Sequence, residues 1–334
     1  MKRPMLLPLV PLYAAGLALR ELRLSRGWEP IRRLRYPVIS IGNLSTGGSG
    51  KTPLTITLAR LLSDRGFQVD VLSRGYGRRS AVPLHVDLNG SADQFGDEPL
   101  LIAREAGVPV YVAAERYDAG IFAETDASKD ERPLVHILDD GFQHRQLQRE
   151  IDILLVSRSD WYDHLLPAGN LRETLHAALR ATVLAIPADD PNFEAELRTW
   201  GWTGPVWHLH RRMEVPQVAG PVVAFCGIAR PEQFFAGLES AGVKVADRLA
   251  FRDHFSYRTA DLNDLIDVAT LPGRDVSALI TTEKDLIRLG PLVSVLPHDL
   301  PILTAHLAIK IENESAALEW LVGRLVMGRS HAYL

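Results

Sequence analysis

Residues 40–62, SIGNLSTGGSGKTPLTITLARLL, read in succession as the end of a strand, a glycine loop and a helix. Val38 to Ile41 form an apolar β-like run. Gly47, Gly48 and Gly50 let the next segment curl so that backbone N–H groups converge on phosphate oxygens, and Lys51-Thr52 then open an apolar-periodic helix. In such a loop Thr46, Gly47, Gly48, Ser49, Gly50, Lys51 and Thr52 are the expected nucleotide contacts. Lys51 adds a point charge and Thr52 offers a hydroxyl to Mg2+. Pro53 fits because a first-turn residue has no intrahelical use for its N–H. One position departs from G-x-x-x-x-G-K-[ST], where Ser45 stands in place of the first glycine. A glycine turn that merely caps a helix is the bland alternative, and the flanking strand, helix and lysine argue against it.

At 334 residues the chain can bury two cores of ordinary size. Its one cysteine, Cys226, excludes an internal disulfide framework and suits a reducing compartment; within PVVAFC it reads as a small buried hydrophobe. Charge is unevenly placed. Residues 1–35 carry eight basic residues against Glu21 and Glu29, a surplus of six, which leaves −10 on the rest of a chain whose total is −4. A basic end on an acidic body points to a local anionic partner such as a membrane surface and away from nucleic acid.

Residues 4–19, PMLLPLVPLYAAGLAL, hold no charge, but sixteen residues fall short of a bilayer span, and Pro8 and Pro11 would break a spanning helix. Lys2-Arg3 and Ala14-Ala15-Gly16 resemble parts of a secretory signal, which fits poorly with a nucleotide loop. The expectation is a helix from about Pro11 to Arg26 that dips into one leaflet, with the following arginines on anionic headgroups; a plain core helix is the alternative.

Beyond the loop helix, strand Gln68–Leu72 leads to SRGYGRR, whose Arg74, Arg78 and Arg79 lie past a strand's carboxyl end, where α/β folds bind ligands. Asp97-Glu98-Pro99 reads as a helix start with acids in the first turn, although two carboxylates beside a phosphate site could also hold Mg2+ or accept a proton. PLVHILDDGFQHR ends a mostly apolar strand in Asp139-Asp140, the acidic strand end that orders Mg2+ in P-loop enzymes, with His144 and Arg145 close by as candidate phosphate ligands. In LLPAGNLRETLHAALR, Asn170 and Glu173 have capping-box spacing, whereas Arg172 lacks such an explanation.

From about residue 203 an α/β pattern restarts without a phosphate loop: strands at 222–226, 243–251 and 278–282, helices at 231–241 and 259–269, and a helix start at Thr282 to Asp285. WHLHRR and HLAIKI flank this unit and can pair as a two-stranded bridge; His208 and His210 share a face but lack a third metal ligand. Asp253-His254-Phe255 follows a strand in a loop, where a histidine is usually just solvated. The expected fold is therefore α/β. It comprises a membrane-associating segment 1–35, a P-loop domain 36–203 with a mainly parallel, doubly wound sheet, a smaller α/β domain 204–312 with the two-stranded linker, and a C-terminal helix in 313–334 packing on the first domain.

Seven stretches in order, GNLSTGGSGKTP, SRGYGR, GDEP, DDGFQH, PAGNLRE, FRDHFSY and TTEKD, together with the apolar-basic N-terminus, resemble the tetraacyldisaccharide 4'-kinase family, the lipid A 4'-kinases of Gram-negative bacteria. The resemblance implies transfer of the ATP γ-phosphoryl group to the 4'-hydroxyl of a tetraacylated glucosamine disaccharide 1-phosphate, giving lipid IVA at the cytoplasmic face of the inner membrane. It implies that Asp97 and His254 act together on the attacking hydroxyl and that Lys51 serves the phosphates. Thr52 with Asp139 or Asp140 would hold Mg2+, and Arg74, Arg78 and Arg172 would meet substrate. A membrane-associated P-loop ATPase or GTPase switch is the rival reading, but no guanine-reading N-K-x-D occurs, and a transporter-coupled ATPase would need an LSGGQ-like signature that is missing.

Overall fold

The computed structural model describes residues 3–127 and 131–330; Lys2 and the last four residues of the expected C-terminal segment lie outside them. The first half opens with α1 (Val10–Ser25), β1 (Val38–Asn43), α2 (Lys51–Asp64), β2 (Gln68–Ser73) and β3 (Leu84–His85). Then come α3 (Ala92–Phe95), α4 (Asp97–Ala106), β4 (Val110–Val112), α5 (Arg116–Asp126), β5 (Leu134–Asp139), β6 (Ile151–Leu155), α6 (Arg158–Trp161), β7 (Val183–Pro187) and α7 (Phe193–Trp200). The second half comprises β8 (Val206–Glu214), β9 (Val222–Cys226), α8 (Pro231–Ser240), β10 (Val245–Ala250), α9 (Thr259–Ala269), β11 (Ala278–Thr282), α10 (Glu283–Leu289), β12 (Ile302–Ile311) and α11 (Glu314–Ser330).

Among the described residues, all twelve strands form one sheet in the order β10-β9-β11-β12-β8-β7-β6-β1-β5-β2-β4-β3. Pairing is parallel except for β3 with β4 and β8 with β12. Because parallel strands are covered on both faces, β1, β5 and β6 are buried along their whole length and mostly apolar. Ile39, Ile41, Val69 and Val71 pack on one face with Leu54 and Leu58 of α2, Leu100 of α4 and Leu318 and Leu321 of α11. Val38, Leu72 and Leu138 pack on the other with Ala119 and Ala123 of α5. The expected two-stranded bridge is β8 with β12, paired from His306 opposite Glu214 to Ile311 opposite Leu209. The first residues of β8 pair with β7 and the first of β12 with β11, so this pair is the seam between the two halves of the sheet.

Two local expectations change. Asn170 and Glu173 form no capping box, because no helix starts there: the Asn170 side chain donates to Asp163, Glu173 pairs with Arg180, and the next helical turn begins only at Leu175. The N-terminal prolines also do not interrupt the helical run. Pro8 lies in a 3-10 turn (Pro4–Leu9) and Pro11 in the first turn of α1, where no N–H is needed. The run Pro4–Ser25 is thus long and apolar enough to cross a membrane by length and composition, and it exposes Met5, Leu7, Leu9, Leu12 and Leu19.

Candidate active site

The glycine loop lies at the carboxyl ends of the central strands, between β1 and α2. Gly47 and Gly50 have φ of 103° and 93°, conformations that a side chain would strain, and a Cβ on Gly50 would also lie 3.1 Å from Ile309. Arg211 of β8 donates to the Ser49 carbonyl and so braces the loop from the second half. Thr46 is held by the Asn170 carbonyl at 2.8 Å, and Thr52 is buried at the first turn of α2. Lys51 Nζ donates to Asn43 Oδ1 at 3.0 Å and lies 3.5 Å from Asp140.

Asp139 ends β5, and Asp140 follows in a left-handed conformation with φ of 48°. The two carboxyls diverge chemically. Burial, reinforced by Glu98 and Asp140, raises the Asp139 carboxyl, which accepts from Thr55 at 3.3 Å. Burial opposes ionisation of Asp140 too, but Lys51 and Arg172 overcome it and bring its pKa down to about 2. Arg172 forks onto both Asp140 oxygens at 2.9 and 3.1 Å, so the residue that the capping pattern left unexplained is an acid partner at the loop.

Arg74 is exposed just past β2, whereas Arg78 turns inward to the Val82 carbonyl at 2.8 Å. Near Arg74 lie Arg116, which the sequence reading did not weigh, and His144, which it placed beside the acidic strand end. Arg116, buried at the start of α5, has an Nε without a hydrogen-bond partner among the described residues. His144 is driven down to about 4 by burial and by Arg116, Arg149, Arg20 and Arg74, which leaves a neutral imidazole in a strongly positive field.

Asp97 opens α4 and is buried. His254, in the loop after β10 with φ of 56°, places Nδ1 3.2 Å from Asp97 Oδ2. The structure therefore brings together two residues 157 positions apart, one from each half of the chain. Burial would raise the Asp97 carboxyl, but the His254 hydrogen bond, Arg288 and Lys284 carry it well below the usual carboxylate range. The same hydrogen bond raises His254 against the opposing effect of burial. Tyr76, from SRGYGRR, tilts its ring over His254 at 5.2 Å between centroids. Its only sequence signal was membership of that loop, and Arg288 gave none beyond a basic residue in a helix's last turn.

Ser49 Oγ and Arg172 Nε, like Arg116 Nε, are buried without hydrogen-bond partners among the described residues, and all three belong to the segments converging on the loop. Loop amides, a lysine, unpaired buried donors and two acids at a strand end suit a nucleotide phosphate chain with a divalent cation.

Comparison with known proteins agrees. The family model "Tetraacyldisaccharide-1-P 4'-kinase" matches residues 2–326. The tetraacyldisaccharide 4'-kinase of Koribacter versatilis is 41% identical, with 94% of this chain and 97% of that protein covered. That of Aquifex aeolicus is 38% identical over 94% of this chain and 96% of its own length. The crystal structure of LpxK from Aquifex aeolicus in complex with ATP superposes with a TM-score of 0.73 at 34% identity, covering 96% of this chain and 98% of that one.

Proposed function

Since the chain belongs to the tetraacyldisaccharide 4'-kinase family of lipid A biosynthesis, we propose how its own residues perform that family's phosphoryl transfer. ATP binds with its phosphates in the amides of residues 46–52, Lys51 leaving Asp140 to serve the β- and γ-oxygens. Thr52 and the Asp139-Asp140 pair would hold Mg2+, which would supply neutralisation of the negative charge that develops on the phosphates. Arg172 keeps Asp140 ionised and aimed at the loop. Arg74 and Arg78 line the approach of the 1-phosphorylated disaccharide.

Asp97 receives the 4'-hydroxyl proton as transfer proceeds. Its low basicity is no obstacle, since a loose phosphoryl-transfer transition state asks chiefly for positioning and leaves the hydroxyl proton until late. His254 orients that carboxylate. Because the two residues come from opposite sides of the β8–β12 seam, closure of units 36–203 and 204–312 into the arrangement described above would complete the site and so limit wasted ATP. The carrying observation is the 3.2 Å contact between His254 and Asp97.

A four-chain lipid cannot leave the bilayer cheaply, at ~0.8 kcal/mol per buried CH2, so the enzyme works at the membrane, with the exposed apolar surface of residues 4–25 lying in the cytoplasmic leaflet of the inner membrane. The test uses ATP labelled in its γ-phosphate and tetraacyl disaccharide 1-phosphate in detergent. Asp97→Ala and His254→Ala should each lower kcat by on the order of 10²–10⁴ with ATP affinity nearly intact, and Lys51→Ala should abolish lipid labelling. Wild-type kcat in either dyad variant would refute the pair.

A further inference from the structure

We propose that Arg288 is a positioning residue of the transfer step, fixing Asp97 against His254 and anchoring both to a buried hub at Asp285. The assignment rests on the catalytic reading of Asp97 and His254 above.

Arg288 reaches from α10 across to the first half. Its Nε donates to Asp97 Oδ2 at 2.7 Å and Nη2 donates to the same oxygen; both side chains are 6% exposed. Nη1 faces the other way, donating to the Gly227 carbonyl and, at 3.0 Å, to Asp285 Oδ1. Asp285 is fully buried and its oxygens are richly paired: they accept from the Gly227 N–H, from the Tyr257 hydroxyl at 3.0 Å and from the Thr282 hydroxyl at 2.6 Å. Gly227 in turn accepts from the backbone N–H of His254 at 3.1 Å. One buried aspartate thus fixes the guanidinium, the tyrosine that ends FRDHFSY and the backbone turn that carries the histidine.

The arrangement also sorts the two oxygens of Asp97. Arg288 and His254 both engage Oδ2, whereas Oδ1 accepts, among the described residues, only the Glu98 backbone N–H, at 2.9 Å. Oδ1 therefore keeps acceptor capacity for the sugar hydroxyl. A planar fork fixes the carboxylate's rotation as well as its charge, which the point charge of a lysine cannot do. Without that fork the carboxylate can rotate about its side-chain bond and withdraw Oδ1 from the hydroxyl.

Arg288→Gln, Arg288→Lys, Asp285→Asn and Asp97→Asn are compared in the full-length enzyme with ATP and tetraacyl disaccharide 1-phosphate in detergent. Arg288→Gln should lower kcat ~100-fold while KM for ATP stays within about twofold, and the lysine variant should recover roughly tenfold of that loss. In an Asp97→Asn background the further loss on Arg288→Gln should be no more than about twofold, since both changes remove one interaction. Should the glutamine variant not fold, Arg288→Lys and Asp285→Asn carry the test, each with a lowered kcat and an unchanged KM for ATP. Wild-type kcat in the Arg288 variants, or a full additive loss in the Asp97→Asn background, overturns the proposal. A crippled Asp97→Asn enzyme beside unimpaired Arg288 variants overturns this assignment alone, whereas a wild-type rate in Asp97→Asn overturns the catalytic pair with it.

Discussion

His136 shows what a buried histidine does when it is not catalytic. It is fully buried on β5, with Nδ1 2.7 Å from Asp70 and Nε2 3.5 Å from Glu124, which also accepts the Arg35 and Tyr36 N–H groups. Burial alone would lower its pKa, but the two carboxylates raise it to about 9. A histidine whose folded pKa lies above its unfolded value of about 6.5 gives stabilisation that is complete below 6.5 and lost as pH rises through 9. Thermal unfolding followed by circular dichroism should therefore show a falling midpoint between about pH 6.5 and 9. His136→Gln should be less stable at pH 6 by ~3 kcal/mol, because Asp70 and Glu124 are left buried without the cation, and its deficit should narrow toward alkaline pH. A constant deficit across that range would show that the imidazole is neutral. Nothing in PLVHILDD distinguishes this structural histidine from a functional one, since both are single polar residues in apolar runs and only the fold supplies the carboxylates. His254 is the converse case. Local sequence favoured a solvated loop residue, and its meaning came from a partner 157 positions away.

Elements near the loop carry tighter constraints than their patterns reveal. Gly42 continues the apolar reading of β1 without comment, yet a Cβ there would lie 2.5 Å from Phe142 Cβ and 2.9 Å from its backbone nitrogen, in the turn after Asp140. Gly42→Ala should cost ~1–3 kcal/mol by denaturant titration and push the DDGF turn away from Lys51; an unaltered midpoint would mean that the turn yields freely. Helix α1 also makes specific polar contacts with the body of the protein. Tyr13 donates to the Arg172 carbonyl at 2.9 Å, Arg20 to the Gln143 carbonyl, and Glu21 pairs with Arg145. The helix thus touches both loops that hold Asp140. Deletion of residues 1–25 should move the protein from the membrane fraction to the soluble one. Tyr13→Phe should keep the membrane fraction and lower kcat by about fivefold, the worth of one hydrogen bond of ~1 kcal/mol. Equal loss of both properties in Tyr13→Phe would show a single role. The strand–loop–helix core was legible because period and glycine placement are local signals. The Asn170–Glu173 spacing misled because a capping box needs a helix behind it, and Asp163 and Arg180 took those side chains instead.

At the scale of the molecule, two of the contacts between the halves lie on either side of the glycine loop. One is the Asp97–His254–Arg288 cluster. The other lies on the far side of the glycine loop, where Arg230 pairs with the buried Asp160 at 3.0 Å and Ala229 packs so close to Gly47 that a Cβ there would be 3.3 Å from its methyl. These contacts flank a small cavity whose lining includes Ser49, Pro187, Leu209 and Arg211. The Arg230–Asp160 contact was not legible in the sequence, since the two residues lie 70 positions apart and only the fold brings them together. If closure of the two units assembles the site, the Arg230–Asp160 pair helps to set the closed geometry, although it touches neither the acceptor nor the base. Arg230→Ala leaves Asp160 buried without this partner, and Asp160→Asn removes the charge that draws Arg230 across. Each should therefore lower kcat/KM for lipid phosphorylation by about tenfold, and the double variant should be little worse than either alone, because one interaction is lost in all three. The ratio of ATP hydrolysed without acceptor to phosphate transferred should rise, since a loosely closed site exposes the phosphates to water while the Asp97–His254 pair forms less often. Unchanged coupling of hydrolysis to transfer, measured with labelled ATP in the three variants, would show that the two halves form one rigid body and that Asp97 and His254 stand permanently assembled.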